Sequence, residues 1–573
     1  MHRSPHRSRP LRRAPLAVTL ALSCAALLHA TWPAPARAQS PNALPSLGDP
    51  VSEDLSPGME RQIGEQIMSE IRRDPDYLDD PVLLEYLRAL WQPLLEAARV
   101  RGEIGDELAL RYPFEPFLVR DRSVNAFALP GGFVGVHLGL IAVTASRDEL
   151  AAVLAHELSH VTQRHIARSI APSRQASILS IVATILGALA ASRSSDPTAG
   201  RAVMTAGQGA AIQAQLNFSR DMEREADRVG YGVMIQAGYS AAGMASMFEK
   251  LDRASRFNDS GDYPYLRSHP LTVDRIGEAR SRSAADPGPA LTGSLLWHAT
   301  MRARARVLMD TRSDNLRRLE SPAPDLASAV EASTPLPAAS AAVRSAGVER
   351  LPDVRVVGTL TERAERLSTA YASALAATLL RNWKQADISL LQAQALVRGA
   401  STGEAEALRA VQLLQVQSLL ERGDAARART ALEPLAQGKP TRPVLMLQAQ
   451  IALADPARGS AEGQQALKRS AEALQTWVAT HPGDALAWRT LGQVWAPLEQ
   501  PLRALRADAE AALASGDLRG AIDRLRNAQR LARGHTQADF IELSVIDARL
   551  RALEAQRRAL LAEQSQRGAA PPQ

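Results

Sequence analysis

The stretch Leu154-Ala-His-Glu-Leu-Ser-His-Val161 contains the pattern H-E-x-x-H, formed by His156, Glu157 and His160. On an α-helix, positions i and i+4 lie about 40° apart around the axis, so both imidazoles can reach one metal ion. Glu157, one residue further on, can address a water molecule at that ion. The stretch therefore predicts a helix that carries the histidine half of a zinc-hydrolase site. An ordinary amphipathic helix with two polar histidines is the alternative.

A third ligand must come from elsewhere, because catalytic zinc takes three protein ligands and keeps a fourth position for water. An extension of the same motif would need Gly at 163 and His at 166, where the chain has Gln163 and Ile166. His165 sits one residue early, on the wrong helical face. The remaining pattern takes a glutamate from a second helix.

A charge-rich segment further along the chain offers that glutamate. Glu223 and Asp227 are spaced i, i+4 and share a face with Ala226 and Gly230, small residues that would let this helix approach the first closely. We predict Glu223 as the ligand, with Asp227 orienting a ligating imidazole through its free ring nitrogen. Glu225 lies about 160° around the axis and should point away. An exposed, salt-bridged face is the alternative for the whole segment.

These motifs resemble a family of zinc peptidases that includes the CAAX prenyl protease, the HtpX heat-shock protease and the mitochondrial Oma protease. The resemblance rests on three stretches: His156-Glu-Leu-Ser-His160, Ser219-Arg-Asp-Met-Glu-Arg-Glu-Ala-Asp227 and Ser268-His-Pro-Leu-Thr-Val-Asp-Arg275. A fourth, Asn125-Ala-Phe-Ala-Leu-Pro-Gly-Gly132, is similar to the segment that enters the active-site edge strand in this family. It covers roughly residues 55–285. It implies one Zn²⁺ per chain, with Glu223 as third ligand and Asp227 at the family's acidic position.

The resemblance also implies roles for the later element. His269 would lie on a loop near the metal, where it could take the fourth zinc position and keep the enzyme latent. Moved aside, it could donate a hydrogen bond to the developing oxyanion. A structural loop residue before Pro270 is the alternative. Arg275 ends the element and is predicted, with Asp227, to support the ligands rather than to bind the metal.

The first 38 residues have the composition of an export signal. Arginines precede an apolar run from Ala14 to about Ala30, and Ala36-Arg-Ala38 has the spacing that signal peptidase reads. We therefore predict cleavage after Ala38 and a periplasmic location; an uncleaved anchor is the alternative. Removing the six arginines of this segment from the 67 basic residues leaves 61, against 61 acidic residues. This balance argues against a nucleic-acid partner.

The predicted fold class is mainly α with a small β-sheet: a gluzincin-like metalloprotease domain followed by an α-helical, TPR-like solenoid. Short strands are indicated around Phe117–Val119, Val124–Leu129 and Phe133–Leu138, with a turn at Pro130-Gly-Gly132 between the last two. Helices are indicated over 56–98 and 295–319, and a loop over 281–288. The predicted segments are a signal peptide over 1–38, the zinc metalloprotease domain over 39–285, a helix plus Pro/Ala/Ser-rich linker over 286–350, the repeat domain over 351–565 and a disordered tail over 566–573.

Two further stretches concern partners. The apolar run Ser177–Ala191 is too short for a comfortable membrane span, so it predicts either a buried helix or half of a hairpin that contacts a membrane surface or a partner. The Ala/Leu-rich region after residue 361 has degenerate repeats, with turns near Asn382, Gly423 and Gly516 and a W-x-x-L-G-x-x-W helix from Trp488. Stacked helix pairs leave a concave surface for a partner, and an irregular helical domain is the alternative.

Together these features predict a secreted zinc endopeptidase joined to an interaction module. The resemblance narrows to periplasmic members with C-terminal repeats. It implies misassembled outer-membrane β-barrel proteins as substrates and docking of the repeats on the β-barrel assembly machinery. A chaperone-like repeat adaptor with rare or regulated proteolysis is a second hypothesis. Hydrolysis of a non-peptide bond is a third, because zinc chemistry alone does not distinguish it.

Overall fold

The computed structural model describes residues 55–170, 182–183, 185–187, 219–257, 263–285, 294–321, 359–398, 404–532 and 539–568. The predicted signal peptide, most of the apolar run 177–191, most of the predicted linker and the end of the predicted tail lie outside these residues. Asp54–Gln573 group into one compact unit, to which every contact described below belongs.

A small sheet lies beside the H-E-x-x-H helix. Its strands are β1 (Tyr77–Leu78), β2 (Glu115–Val119), β3 (Ala126–Leu129) and β4 (Phe133–His137), in the order β1-β2-β4-β3. β2 runs parallel to β4, whereas β1 pairs with β2 and β3 with β4 in antiparallel register. The predicted strands are confirmed. β3 is an edge strand of this sheet.

The predicted turn between β3 and β4 is confirmed and requires glycine. Gly131 and Gly132 have φ angles of 77° and 91°, in the left-handed region that side chains disfavour. Space is also short, because a Cβ atom on Gly131 would lie 2.7 Å from the Cα of Arg61. The turn is therefore packed directly onto the first helix.

The helices of the first half surround this sheet. In chain order they are α1 (Pro57–Ile71), α2 (Pro81–Val100), α3 (Asp106–Arg111), α4 (Leu138–Val143), α5 (Arg147–Thr162), α6 (His165–Ile170), α7 (Arg220–Gln236), α8 (Ala242–Phe257), α9 (Tyr265–Ser268) and α10 (Val273–Ala285). The predicted helical stretch 56–98 is split into α1 and α2, with β1 between them, because Pro75 interrupts the helical backbone pattern. Residues 281–285, predicted as loop, continue α10, and the Arg282 carbonyl accepts a hydrogen bond from Tyr231 at 3.1 Å.

The second half is helical, as predicted. Its helices are α11 (Leu295–Leu308), α12 (Ser313–Glu320), α13 (Leu360–Leu379), α14 (Trp383–Val397), α15 (Ala405–Glu421), α16 (Ala425–Leu432), α17 (Arg442–Ala454), α18 (Ala461–Thr480), α19 (Ala485–Trp495), α20 (Pro501–Ala514), α21 (Leu518–Ala532) and α22 (Asp539–Gly568), with 3₁₀ turns at Glu433–Ala436 and Ala496–Leu498. The helix predicted over 295–319 is broken into α11 and α12. Asp310 accepts from the Arg312 backbone N–H there, an Asx turn that ends α11.

Local sequence explains where the later helices begin. Asn382 and Asp424 are N-caps whose side chains accept from backbone N–H groups of α14 and α16, and Gly516 takes a φ of 80° before α21. The turns predicted at these positions are confirmed. Consecutive helices pack on one another, as α13 does on α14, and α20 does on both α19 and α21.

One hydrophobic core runs from the sheet-bearing half into the second half. It includes fully buried Trp91 of α2 and Leu150 of α5, and continues through Ala303 of α11 and Tyr371 of α13 to Leu414 of α15. Smaller cores follow along the later helices. Among the helices within the described ranges, none has both the length and the apolar character needed to cross a lipid bilayer.

Candidate metal centre

Helix α5 carries the H-E-x-x-H residues through the middle of the fold. Ser146 caps its N-terminus by accepting from the Glu149 N–H at 3.2 Å, which satisfies one of the unpaired donors of the first turn. The helix is enclosed by α2, α7, α8 and β3. His156, Glu157 and His160 are consequently at most 1% exposed. Side chains this buried need partners of complementary charge.

Helix α7 brings the predicted acidic residues to this helix. A Cβ atom on Gly230 would lie 3.1 Å from the Ala155 carbonyl and the His156 nitrogen, so the glycine permits the close approach that the sequence predicted. Glu223 and Asp227 are buried on the face that meets α5.

Four side chains converge at one point. The structure groups His156, His160, Glu223 and His269 so that one potential ligand atom of each lies within 4.8 Å of the others. The Nε2 atoms of His156 and His160 are 3.0 Å apart, and each lies 3.5 Å from an oxygen of Glu223. The three residues predicted as metal ligands are therefore brought together.

His269 joins this group from the loop after α9. Its Nδ1 lies 3.0 Å from Glu223 Oε1 and 3.3 Å from His156 Nε2, and its Nε2 lies 3.5 Å from Glu157 Oε1. The side chain is 2% exposed. His269 thus lies near His156 and Glu223, as the sequence resemblance implied, and between Glu223 and Glu157.

Asp227 and Arg275 lie behind the four-residue group and contact two of its members. Asp227 Oδ1 lies 2.9 Å from His156 Nδ1, the ring nitrogen that faces away from the cluster. Arg275 donates to both oxygens of Asp227 at 2.6 and 2.8 Å, and its Nη1 lies 2.8 Å from Glu223 Oε2. Nη1 also donates to the Pro270 carbonyl, so one guanidinium connects both carboxylates to the loop that carries His269.

The electrostatics of the group are those of crowded, buried charges. Burial lowers the pKa of His156, but hydrogen bonding to Asp227 and Glu223 outweighs it and raises that pKa to about 10. Burial and the neighbouring His156 hold the pKa of His160 well below its usual value. Burial alone would raise the pKa of Glu223, yet the adjacent histidines lower it, so the carboxylate is ionised.

The donor set fits a divalent metal ion. Imidazole nitrogens together with a carboxylate oxygen are ligands that ions such as zinc prefer, and an ion at their centre would offset the buried negative charge. Both carboxylate oxygens of Glu157 lack a hydrogen-bond partner although the residue is fully buried. Such orphaned acceptors are uncommon in proteins and indicate a role that requires an available carboxylate.

His165 and Glu225 lie beside the four-residue group in a way that sequence reasoning missed. His165 Nδ1 lies 2.9 Å from His160 Nδ1, and His165 Nε2 lies 3.0 Å from Glu225 Oε2. Glu225 faces away from the four-residue group, as predicted, but contacts His165 and Arg168 rather than only solvent. The spacing of His165 gave no signal, because the helix does not continue straight to it.

Tyr265 is a second residue that sequence reasoning missed. Its ring stacks on His269 with centroids 4.6 Å apart, and its hydroxyl is buried without a hydrogen-bond partner. The Tyr265 N–H donates to the Val124 carbonyl at 3.3 Å, so the loop bearing His269 is attached just before edge strand β3. The aromatic residue four positions before the H-P dipeptide was the available signal.

Comparisons with known proteins agree with this geometry. The profile of Peptidase family M48 matches residues 97–283. A putative β-barrel assembly-enhancing protease of Vibrio cholerae is 37% identical over 278 residues, which are 48% of this chain and 54% of the relative. The β-barrel assembly-enhancing protease of Escherichia coli is 34% identical over 250 residues, covering 44% of this chain and 49% of the relative.

A eukaryotic relative matches a shorter part. The mitochondrial metalloendopeptidase OMA1 of Schizosaccharomyces pombe is 36% identical over 163 residues, which are 28% of this chain and 44% of the relative. The chain thus spans about half the length of the first two curated relatives. The family resemblance read from the motifs is confirmed, because residues 97–283 match the model of peptidase family M48.

Proposed function

We propose that this chain is a zinc-dependent endopeptidase with one Zn²⁺ held by His156, His160 and Glu223. The observation that carries the proposal is the convergence of two imidazoles and a carboxylate beside Glu157, a buried glutamate whose oxygens lack a hydrogen-bond partner. Asp227 and Arg275 support the ligands through the contacts described above. This arrangement has the parts that metal-assisted peptide hydrolysis requires.

Each residue contributes a distinct step. When bound, zinc supplies a Lewis acid that polarises the scissile carbonyl and lowers the pKa of the attacking water. Glu157 accepts the proton of that water and passes it to the leaving amine, because neither of its carboxylate oxygens is engaged in a hydrogen bond. Arg275 keeps Asp227 and Glu223 in place, so the ligand geometry is organised before substrate arrives.

Edge strand β3 is the proposed substrate-binding element. It ends the sheet order β1-β2-β4-β3 and packs beside α5. An extended segment of substrate can add to such an edge through main-chain hydrogen bonds, which supply affinity with little demand on sequence. This mode suits a protease that acts on unfolded segments.

Glu157→Gln tests the catalytic assignment. The amide keeps the size of the side chain but does not act as a base, so we expect unchanged zinc content and cleavage of unfolded casein reduced by about 10²–10⁴-fold. Glu223→Gln is the matched comparison, because it should lower zinc content by weakening a ligand. Wild-type turnover by a fully zinc-loaded Glu157→Gln protein would overturn the assignment.

We propose that His269 also keeps the resting enzyme latent. Its Nδ1 lies as close to the ligand atoms as they lie to one another, which would allow it to fill the fourth metal position. His269→Ala should then increase casein degradation and self-cleavage, and the double variant with Glu157→Gln should show neither. Lower activity without self-cleavage would assign His269 to catalysis alone, and unchanged activity would make it structural.

The proposed cellular role is quality control of outer-membrane β-barrel assembly in the periplasm. The names of the bacterial relatives support this role, and the export signal predicted over 1–38, with predicted cleavage after Ala38, supports the compartment. We propose residues 39–285 as the protease domain, a helix and linker over 286–350, TPR-like repeats over 351–565 and a tail over 566–573. In this scheme unfolded or misassembled outer-membrane proteins are the substrates and the repeats dock on the assembly machinery. The apolar run 177–191 is proposed as a membrane-surface contact.

A chaperone-like adaptor is the competing function. The extent of the helical region supports it, because stacked helices suit partner binding. Complementation of a deletion strain separates the two functions. Failure of Glu157→Gln to restore outer-membrane integrity would support the protease, whereas full rescue by this variant would support the adaptor.

A further inference from the structure

The metal ligand His160 has a partner on each of its ring nitrogens. Its Nε2 belongs to the four-residue metal group, whereas its Nδ1 lies 2.9 Å from Nδ1 of His165. His165 Nε2 in turn lies 3.0 Å from Glu225 Oε2. His165 is fully buried, and Glu225 lies at the edge of the buried region, with its side chain 28% exposed. A chain of contacts therefore connects a surface carboxylate to a metal ligand.

The hydrogens along this chain follow from the chemistry of its ends. An ionised carboxylate only accepts hydrogen bonds, so His165 carries its proton on Nε2 and donates to Glu225. A neutral His165 then presents an acceptor at Nδ1, and His160 donates its Nδ1–H to it. This tautomer leaves the Nε2 lone pair of His160 directed at the metal group.

We infer that His165 and Glu225 are positioning residues that fix the tautomer and ring orientation of His160. The inference rests on the proposed metal site. His156 has a direct version of the same device, since its Nδ1 lies 2.9 Å from Asp227 Oδ1. Helix α7 thus orients both ligand histidines, His156 through Asp227 and His160 through Glu225 by way of His165. Groups that hold the second nitrogen of a ligating imidazole generally set its basicity and orientation.

The backbone places His165 where a continuous helix would not. At i+5 from His160 it would lie about 140° around the axis of α5. Arg164 instead takes a φ of 53°, which ends α5 and returns the chain so that His165 covers His160. Arg164 is held by donation to Glu60 at 2.8 Å, which offsets the strain of a left-handed arginine. The contact is therefore built by a specific turn.

The first test compares two substitutions of His165, one that keeps a hydrogen-bond acceptor and one that keeps the side-chain volume. His165→Asn offers an oxygen that can accept from His160 but fills less space, whereas His165→Phe fills the space and accepts nothing. Zinc affinity of each purified full-length protein is measured by competition with a chromogenic chelator. We expect about 10–100-fold weaker binding for His165→Phe and recovery of most of that loss in His165→Asn. A packing role predicts the reverse order and would overturn the inference.

Two substitutions of Glu225 test the inference independently, at a side chain that is only partly buried. Glu225→Gln keeps an acceptor for His165 and should bind zinc nearly as tightly as the wild type, whereas Glu225→Leu should bind it more weakly. Arg168→Gln is the matched control, because Arg168 contacts the same oxygen of Glu225 at 2.8 Å without belonging to the chain. Loss of affinity in Arg168→Gln as large as in Glu225→Leu would contradict the assignment.

A spectroscopic measurement reports the proton itself. In the Co²⁺-loaded protein, the ring N–H of a ligating histidine gives a hyperfine-shifted proton signal. The signal from His160 should exchange slowly with D₂O in the wild type and rapidly in His165→Phe, while that of His156 is unchanged. Absence of metal binding by the wild type would defeat the proposed function. Normal binding with identical exchange in both proteins would defeat only this inference.

Discussion

Two buried clusters of charge in the same unit differ in how fully they are neutralised. In the metal centre, the guanidinium of Arg275 contacts the carboxylates of Glu223 and Asp227, whereas both oxygens of Glu157 lack hydrogen-bond partners. Elsewhere, Asp80 faces Arg304 through two parallel hydrogen bonds of 2.7 Å. A cluster whose negative charge is neutralised only when a cation binds indicates a binding site. A cluster whose charges already neutralise one another, such as Asp80 with Arg304, indicates a structural contact, here called the joint.

The joint connects the two halves of the chain. Asp80 is the N-cap of α2 and accepts from the Leu83 N–H, while Arg304 lies on α11 and reaches Tyr371 of α13 at 3.3 Å. Nearby, Arg442 of α17 donates to Asp79 at 2.7 Å. Two adjacent aspartates after β1 thus bind arginines from two later helices. These contacts supplement the core that the halves share.

The largest effect in this comparison is expected from Arg304→Met. Methionine leaves Asp80 buried without a counter-charge, so we expect the free energy of unfolding to fall by about 3–5 kcal/mol. Urea denaturation of the metal-free protein measures it. Adding Asp80→Asn, which retains an N-cap, should recover most of the loss. If Arg304→Met instead lowered the affinity of the metal centre for its ion at unchanged stability, the two clusters would not be independent.

The sequence revealed the metal centre better than the joint, for a physical reason. Helical spacing alone places His156 beside His160 and Glu223 beside Asp227, because i and i+4 share a face. Family resemblance added His269 and Arg275. Nothing local connects Asp80 with Arg304, which is 224 positions away. Contacts of that kind depend on tertiary packing, which periodicity does not report.

The errors have the same origin on a smaller scale. The spacing of His165 excludes it as a ligand only if the helix continues through it. In the structure α5 ends at Thr162, and Arg164 takes a left-handed backbone conformation just before His165. The helix predicted over 295–319 ignored the Asx turn at Asp310. In both cases one or two backbone angles decided where a helix ends. Residue type specifies such angles only weakly.

His298 sharpens the comparison, since it is a buried histidine outside the metal centre with both ring nitrogens paired. Tyr86 lies 2.5 Å from its Nδ1 and the Thr144 carbonyl 3.0 Å from its Nε2. Burial lowers the pKa of His298 to about 4. Between about pH 6.5 and 4 the unfolded chain therefore binds a proton that the folded chain does not, so folding stability falls as pH falls.

The expected size of this effect is about 3 kcal/mol across that window, with no further loss below pH 4. His298→Gln removes the titrating group, so the stability advantage of the wild type at pH 7.5 should shrink by that amount at pH 4. Urea denaturation in the presence of EDTA measures both proteins without contributions from bound metal. Parallel pH profiles would show that the acid sensitivity arises elsewhere, as in His160, whose pKa burial and the neighbouring His156 also lower.

The smallest effect is expected where the same charges meet at the surface. Arg280 of α10 donates to Glu249 of α8 at 2.7 Å, as short as the contacts of Arg304, but their side chains are 60% and 34% exposed. Water solvates both groups in the unfolded and folded chains, so Arg280→Ala should change the free energy of unfolding by less than about 1 kcal/mol. Raising the salt concentration should reduce even that difference. The Arg280–Glu249 and Arg304–Asp80 pairs have the same charges and the same distance. A loss of stability in Arg280→Ala as large as in Arg304→Met would therefore mean that burial does not set the contribution of such pairs.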